Sequence, residues 1–265
     1  MTATTERHEV HFGLVELDLL ATHAGVPFPF PLRVPSFGRL TDERDELLAA
    51  AGHALRERGL ATEHGPAGVA AEVVTALREY RSAADLVVLD GEAATGVVAM
   101  VCGNQAMLCR QSLAGQADTV LAGRVPAAAL ADEFAGLVPD VPAASAMPVT
   151  LPPGVIGDAL RLVGNTADTP ATRRYVRELV RECGGDEAVV DELVDLLPTL
   201  TGRGQLGVTR RSGTAVSRRF EVSWLDSPRG RVRVSRDDQG WVSVNPLRRG
   251  ELVRLTREAA ALARA

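Results

Sequence analysis

Hydrophobic residues recur along this chain with two different spacings, which divide it into helical and extended segments. Leucine and alanine at helical spacing predict helices over Asp42–Leu60 and Ala67–Tyr80. Thr41 suits the N-cap of the first helix, and Gly59 followed by Leu60 is typical of a left-handed C-cap. Four short apolar runs between glycine turns predict an antiparallel meander: Asp85–Asp90, Thr95–Gly103, Met107–Ser112 and Thr119–Gly123.

The second half of the chain repeats this order. Helices are predicted at Val155–Val163, Pro170–Cys183 and Asp186–Leu197. Strands are predicted at Gln205–Arg211, Ala215–Leu225, Gly230–Ser235 and Gly240–Val244. In each half a proline then begins a helix, and Asp85 to Pro126 and Gln205 to Pro246 are both 41 residues apart.

The repeated order predicts an internally duplicated α+β fold. We expect one α+β repeat over 1–137 and a second over 154–265, with one sheet continuous between them. The stretch 138–153 is rich in proline and alanine and is predicted to be a linker.

A proline-rich segment follows a strand and a helix predicted over 10–23. In Pro27–Leu32 the prolines at alternate positions exclude a helix and remove backbone donors, so the segment is extended. We expect Phe28, Phe30 and Leu32 to anchor it on the core, and binding of a peptide by this segment is the alternative.

The two meanders differ in how cleanly their strands alternate. Val97–Val101 is apolar at every position, so we expect the first meander to be covered on both faces. In the second, apolar and polar residues alternate, which predicts one packed face and one open face. The expected packed face carries Leu206, Val208, Phe220, Val222, Trp224, Val232, Val234, Val242 and Val244. The expected open face carries Arg219, Arg231 and Arg233 around Trp241.

The open face has two interpretations. Its charges either keep the protein soluble or form a docking site for an acidic or mixed-polarity protein, since Arg and Trp are frequent interface anchors. The 265-residue chain has a net charge of −5 with 29 basic residues, all arginine, which argues against a general binder of nucleic acid or anionic membranes. Thr201–Gly250 nevertheless carries eleven arginines against four acidic residues, a local balance of +7.

No residues combine into a catalytic, metal or cofactor site. His8 and His11 lie three apart in a predicted strand and therefore face opposite sides. There is no Gly-x-Ser-x-Gly motif, and a chain without lysine cannot supply a phosphate-loop lysine. The three cysteines, Cys102, Cys109 and Cys183, lack metal-ligand spacing. We expect a binding protein, with no catalytic residue, no metal and no cofactor.

The start of the chain bears on its location. Met1–Val10 carries charged residues where an export signal is apolar, and no run approaches eighteen apolar residues. The chain is therefore expected to be cytoplasmic, with its cysteines reduced.

Several short motifs are spread over nearly the whole chain. They are Pro27–Val34 leading to Gly38-Arg39, the helix ending in Arg58-Gly59-Leu60, Gly202–Val208, Asp226 before Gly230-Arg231, and Gly240–Val244 followed by Pro246. Together they resemble the EspG family, the cytosolic chaperones of actinobacterial type VII (ESX) secretion. The resemblance implies a quasi-two-fold α+β fold, in which helical bundles flank a central antiparallel sheet. It also implies that the chain binds the tip of a PE–PPE heterodimer and keeps that substrate soluble and export-competent.

The resemblance places the substrate on the C-terminal half. We expect Arg219, Arg231, Arg233 and Trp241 to contact it from the sheet. Leu193 and Leu197 are expected to contribute from the preceding helix, and ordinary core packing is the alternative for both. The connection Asp90–Thr95 is shorter than in mycobacterial members, so contacts assigned to that loop do not transfer.

The alternative function is a nucleic-acid-binding module that uses the basic segment. The acidic total charge, the few aromatic residues on the basic face and the lack of a recognition helix argue against it. An enzyme ranks last, since only scattered Asp and His residues favour one.

Overall fold

The structure is a computed structural model that describes residues 9–115, 118–145, 149–151, 153, 174, 178, 181–182, 199–213 and 215–265. The helices predicted at Val155–Val163, Pro170–Cys183 and Asp186–Leu197 lie largely outside the described residues, and Leu193 and Leu197 lie wholly outside them.

The described residues form helices and strands close to the predicted ones. The helices are α1 Leu14–Ala24, α2 Thr41–Glu57, α3 Gly68–Glu79, α4 Leu130–Leu137 and α5 Arg249–Arg264, with a 3₁₀ turn at Ala127–Ala129. The strands before the predicted linker are β1 Glu9–Gly13, β2 Ala61–Thr62, β3 Gly65–Pro66, β4 Ser82–Asp90, β5 Ala93–Cys102, β6 Gln105–Ser112 and β7 Thr119–Pro126. The later strands are β8 Val149–Leu151, β9 Gly202–Ser212, β10 Ala215–Ser227, β11 Gly230–Arg236 and β12 Val242–Pro246.

Ten of these strands form one large sheet, in the order β1-β7-β6-β5-β4-β9-β10-β11-β12-β8. Read outward from β4, the order is β4, β5, β6, β7, β1. Read outward from β9, it is β9, β10, β11, β12, β8. In both directions, four consecutive strands are followed by a strand that comes earlier in the chain. The prediction of a mixed α+β fold built on a large antiparallel sheet is confirmed.

The chain divides into two compact units. Unit 1 contains Met1–Val138, Gln205–Glu221 and Arg254–Ala265, and unit 2 contains Pro139–Gly204 and Val222–Val253. Both units are discontinuous in sequence, whereas the predicted repeats 1–137 and 154–265 are continuous. The repeat boundaries therefore stay a prediction.

In unit 1, α1, α2 and α3 bury their apolar sides against the meander β4–β7. Leu17 and Leu20 of α1, Leu55 of α2 and Leu77 of α3 join one apolar cluster with the strands, and each is fully buried. Val97–Met100 of β5 is buried at every position, so the prediction that the meander is covered on both faces is confirmed for this strand. It is wrong for β6 and β7, where Arg110 and Arg124 are exposed.

Gln111 anchors the proline-rich segment of unit 1 on β6. Its side-chain oxygen accepts the Arg33 N–H at 2.7 Å, and its amide donates to the Arg33 carbonyl at 3.1 Å. Leu32 is buried and Phe28 packs against the core cluster, as predicted. Phe30 is 57% exposed, so the prediction that it anchors the segment is wrong.

The two ends of α2 test the predicted caps. The N-cap is Leu40, not Thr41, and it makes no side-chain cap. Glu43 accepts the Arg39 N–H at 2.9 Å instead, which satisfies a backbone donor before the helix. At the other end, Gly59 has φ +70°, and the Leu60 N–H donates to the Leu55 carbonyl at 2.8 Å. The predicted left-handed C-cap is therefore confirmed.

Two predictions near proline residues are wrong. The stretch predicted to be a linker contains strand β8, whose Val149–Leu151 pairs with β12. Pro246 ends β12 instead of starting a helix, and α5 begins three residues later at Arg249. A proline is tolerated at a strand end because the backbone ladder stops there.

Candidate protein-binding surface

The register of β10, β11 and β12 decides which side chains of unit 2 share a face. Residues directly opposite each other in antiparallel strands lie on the same face of the sheet. Trp224 lies opposite Arg233, and Asp226 lies opposite Arg231. Leu225 lies opposite Val232, which was predicted to share a face with Trp224. The prediction that the apolar residues of β10 and β11 share one face, and their polar residues the other, is therefore wrong.

This error has a simple physical cause. Side chains alternate with a period of two along each strand, and that alternation is correct within β10 and within β11. Sequence spacing does not fix the register between strands, and a one-residue slip moves every side chain of a strand to the other face. Arg231 and Arg233 consequently lie on the face that carries Trp224.

Arg231 lies in the core of unit 2. Its Nε and Nη2 donate to the two carboxylate oxygens of Asp226 at 2.6 Å and 2.8 Å. The two side chains are 1% and 5% exposed. The guanidinium carbon lies 5.6 Å from the centroid of the Trp224 ring. The prediction that Arg231 lies on an open face is therefore wrong, because its partner Asp226 holds it inside.

Gly204 of β9 makes room for this cluster. A Cβ atom at residue 204 would overlap the indole ring of Trp224. The close approach lets Trp224 reach 1% exposure, with its indole N–H buried and without a partner in the described part of the chain. The glycine is thus required by packing, which explains one residue of the motif Gly202–Val208.

Arg233 follows Arg231 on the same face but is less buried. Its side chain is 30% exposed and approaches Glu251 of α5, with Nη1 3.4 Å from Oε1. Its Nε is buried and has no hydrogen-bond partner among the residues that the structure describes. The accessible part of Arg233 is therefore the rest of its guanidinium group, since Nε itself is closed off from solvent.

Trp241 is held at the start of β12 by Asp237. The Trp241 N–H donates to Asp237 Oδ1 at 2.8 Å, and the Asp237 N–H donates to the Trp241 carbonyl at 2.9 Å. The side chain is half-buried. Trp241 comes two residues before Ser243, so the alternation of β12 places both on one side.

These residues define a polar strip on unit 2: Arg233, Ser235, Trp241, Ser243 and Asn245. Within it, Arg233 lies opposite Asn245, and Ser235 lies opposite Ser243. All five are partly exposed. The strip combines a charged donor, an aromatic ring and small polar groups, which suits contact with a mixed-polarity protein surface.

The remaining predicted residues do not join this strip. Arg219 is exposed and belongs to unit 1. Leu193 and Leu197 lie outside the described residues. Arg233 and Trp241 therefore share one side of the sheet, with Ser235 and Ser243 between them, and Arg231 is buried. The binding role of all six residues stays a prediction.

Sequence reasoning missed a second arginine–aspartate pair, in unit 1. Arg218 of β10 donates through Nη1 to Asp85 of β4 and through Nε to Glu221, the latter at 3.0 Å. Its guanidinium lies 6.0 Å from the centroid of the exposed Phe30 ring. A Cβ atom at Gly207 would overlap this guanidinium. A glycine inside a strand pattern was the sequence signal for such a close approach.

The environment of Asp85 shifts its titration. The side chain is 2% exposed, and burial raises the pKa of Asp85 above its ordinary value, while the hydrogen bond from Arg218 opposes that rise. One carboxylate oxygen, Oδ1, is buried without a partner among the described residues. The pair is therefore only partly satisfied.

The described residues offer little for catalysis or metal binding. They contain no group of three His, Cys, Asp or Glu side chains placed to hold a metal ion. Cys102 and Cys109 are free thiols, and burial raises the pKa of Cys109 to about 12, which makes this thiol unreactive. None of the helices in the described ranges is long and apolar enough to cross a membrane.

Comparison with known proteins identifies the family. The family model described as the EspG family matches residues 14–258. A solved structure of the Mycobacterium tuberculosis type VII secretion system chaperone EspG5, in complex with a PE25-PPE41 dimer, is similar in fold with a TM-score of 0.65. The two chains are 12% identical, and the match covers 94% of each. The search of curated proteins gave no match. Because the family model spans most of its length, the chain belongs to the EspG family.

Proposed function

We propose that this protein is a type VII (ESX) secretion chaperone that binds a PE/PPE-like heterodimer in the cytoplasm and keeps it soluble. The match of the EspG family model over residues 14–258 carries the proposal. The fold similarity to EspG5, which was solved with a PE25-PPE41 dimer, is consistent with it. Such a role needs a binding surface and no catalytic residue, so we propose that the protein is not an enzyme.

The polar strip of unit 2 is the proposed contact surface. Trp241 supplies a large amphipathic side chain, and two hydrogen bonds with Asp237 fix its backbone, which lowers the entropy lost on binding. Arg233 supplies a guanidinium group that is 30% exposed, so part of it can reach a partner. Arg231 acts indirectly, because it fixes Trp224 opposite Arg233. Arg219, Leu193 and Leu197 remain predicted contacts.

We also propose that the fold arose by internal duplication with quasi-two-fold symmetry and flanking helical bundles. Two matching backbone patterns support the duplication. Gln105 lies opposite Pro126, and the next N–H, of Ala127, donates to the Asn104 carbonyl at 2.9 Å. Val232 lies opposite Pro246, and the next N–H, of Leu247, donates to the Arg231 carbonyl at 3.0 Å. The end of each meander is thus built in the same way.

Co-expression tests the function. The chain is produced together with a PE/PPE-like pair encoded near it, and the soluble fraction is purified through a tag on this chain. We expect the pair to co-purify at a fixed stoichiometry and to gain solubility over the same pair expressed alone. Failure of every neighbouring pair to co-purify or to gain solubility would overturn the proposal.

Variants of the strip test the surface. Trp241→Ala is expected to weaken capture of the pair by roughly tenfold or more, as for a central interface anchor. Arg233→Gln should act in the same direction. Arg236→Gln is the matched control, because Arg236 lies three residues along β11 and therefore on the opposite face. Equal capture by all three variants in a pull-down titration would place the contact elsewhere.

A further inference from the structure

A basic groove occupies one side of unit 1, apart from the polar strip. It has a volume of about 1010 Å³ and is formed by the end of α3, the start of β4, the β5–β6 turn, the β9–β10 hairpin and the end of α5. Its charged lining consists of one glutamate, Glu79, and five arginines: Arg78, Arg81, Arg210, Arg211 and Arg264. This concentration of positive charge contrasts with the net charge of −5 of the whole chain.

The arginines of this groove form no ion pairs among the described residues. Arg78 donates to the His23 carbonyl, Arg211 donates to the carbonyls of Leu77 and Arg78, and Arg264 donates to the Ala260 carbonyl at 3.1 Å. These acceptors are neutral. In the described residues, none of the five guanidinium groups is within ion-pair distance of a carboxylate. The groove therefore carries an excess of positive charge, since five arginines face one glutamate.

Two of the arginines are free to bind. Arg81 and Arg210 are exposed, and neither side chain has a hydrogen-bond partner in the part of the chain that the structure describes. A guanidinium group presents five donors in a planar fork that matches a carboxylate in a bidentate geometry. Two free forks on a common groove suit a ligand with several carboxylates.

We propose that this groove binds an extended, aspartate- and glutamate-rich segment of a partner protein. Charge complementarity favours an acidic segment, and the open groove is large enough for an extended chain. Nucleic acid fits less well. Tyr80, the aromatic residue of the lining, is 7% exposed and is covered by the Arg211 guanidinium at 4.3 Å, so it offers no face for base stacking. The site goes beyond the proposed chaperone surface, since it lies wholly in unit 1.

Fluorescence anisotropy with the full chain tests the proposal. The probe is a labelled peptide that alternates glutamate with glycine and serine. Two controls are the same peptide with glutamine in place of glutamate and a single-stranded oligonucleotide of similar length. At low salt, where screening is weakest, we expect the glutamate peptide to bind and the glutamine peptide not to bind. Equal binding of both peptides, or no binding of either, would overturn the proposal. So would tighter binding of the oligonucleotide, which would assign the groove to nucleic acid.

Charge-removal variants locate the site. Arg81→Gln with Arg210→Gln should weaken peptide binding by about tenfold. Arg56→Gln with Arg110→Gln removes the same charge from exposed positions of unit 1 outside the groove and should change binding by less than about twofold. Equal loss in both double variants would overturn the proposal.

Two further readouts separate the groove from folding and from the chaperone surface. The Arg81/Arg210 double variant should unfold at the same midpoint as the wild type. If the double variant unfolds at a lower midpoint, the binding test is repeated with Arg264→Gln, which must also weaken peptide binding. Capture of the PE/PPE-like pair should be unchanged in the double variant. Loss of that capture would mean that the groove is no separate site.

Discussion

Unit 1 and unit 2 each contain an arginine paired with a buried aspartate, beside a glycine of β9 and an aromatic ring. In unit 2, Arg231 and Asp226 form two hydrogen bonds, both side chains are almost inaccessible, and Trp224 is buried with them. In unit 1, Arg218 is 30% exposed and divides its donors between Asp85 and Glu221. The ring beside it, Phe30, is largely in solvent.

The comparison shows that the pair of unit 2 is part of the core, whereas the arginine of unit 1 can still move and exchange partners. A buried, fully satisfied ion pair adds little net stability, but it cannot lose one partner without leaving an uncompensated charge. In unit 1 the aspartate is as buried as in unit 2, but the arginine is 30% exposed, so water can reach the site when the arginine is lost. The same residue types therefore form a closed pair in the core of unit 2, whereas in unit 1 Asp85 keeps an unpaired oxygen among the described residues and Arg218 is partly exposed.

Removal of Arg231 should have the largest effect. Arg231→Met keeps most of the volume but leaves Asp226 buried without its cation, and we expect a loss of about 3–5 kcal/mol in the free energy of unfolding. Urea unfolding followed by tryptophan fluorescence measures this, because Trp224 reports on the same cluster.

The double variant Asp226→Leu with Arg231→Met is the control, since it removes both charges. It should recover most of the stability that Arg231→Met loses. A double variant as unstable as the single one would mean that packing, and not the buried charge, dominates the cost.

Substitution of the two glycines should follow the same order, with a larger loss of stability in unit 2 than in unit 1. Gly204→Ala forces a methyl group against the buried indole of Trp224, which has no free space, and we expect a loss of about 2–3 kcal/mol. Gly207→Ala meets the end of the flexible, half-exposed Arg218, which can move, so a loss of about 1 kcal/mol is expected. Thermal unfolding of both variants checks the order, and a larger loss at Gly207 would contradict it.

The strands and most helices were predictable because each depends on local spacing. The caps show the limit of local signals. Gly59 and Leu60 form the expected C-cap, since glycine tolerates a positive φ that other residues avoid. Thr41 failed as an N-cap because Glu43 reaches back to the Arg39 N–H and satisfies a donor there.

The candidate site was less predictable, because it depends on register between strands. Arg231 and Arg233 were correctly predicted to lie on one side of β11. They were expected on the face opposite to Trp224, but the register places them on the same face as Trp224. Phe30 and Leu32 are two residues apart, so an extended segment would place both on one side, but a turn at Phe30 and Pro31 breaks this alternation and only Leu32 is buried. Trp241 and Arg233 were singled out because an aromatic and a charged residue alternate with valines, and their binding role stays a prediction.

Removal of Arg218 should cost less than removal of Arg231. Arg218→Met leaves Asp85 without its cation, but water can enter the partly exposed space that the guanidinium group vacates, so we expect a loss of about 1–2 kcal/mol. Glu221→Gln is the control, because Glu221 is 49% exposed and its loss leaves the Asp85 contact in place. Urea unfolding of the wild type, Arg218→Met and Glu221→Gln under the same conditions measures the effect. A loss equal to that of Arg231→Met would erase the distinction between the two pairs.

The smallest expected effect is a pH dependence in unit 1. Burial raises the pKa of Asp85, so from about pH 4 upward the folded protein holds a proton that the unfolded chain has released. The free energy of unfolding contributed by Asp85 therefore falls as pH rises through this window. Asp85→Asn does not titrate. The stability of the wild type minus that of the variant should fall between about pH 4 and the folded pKa and then stay level. A difference that rises with pH would mean that the hydrogen bond from Arg218 outweighs burial at Asp85.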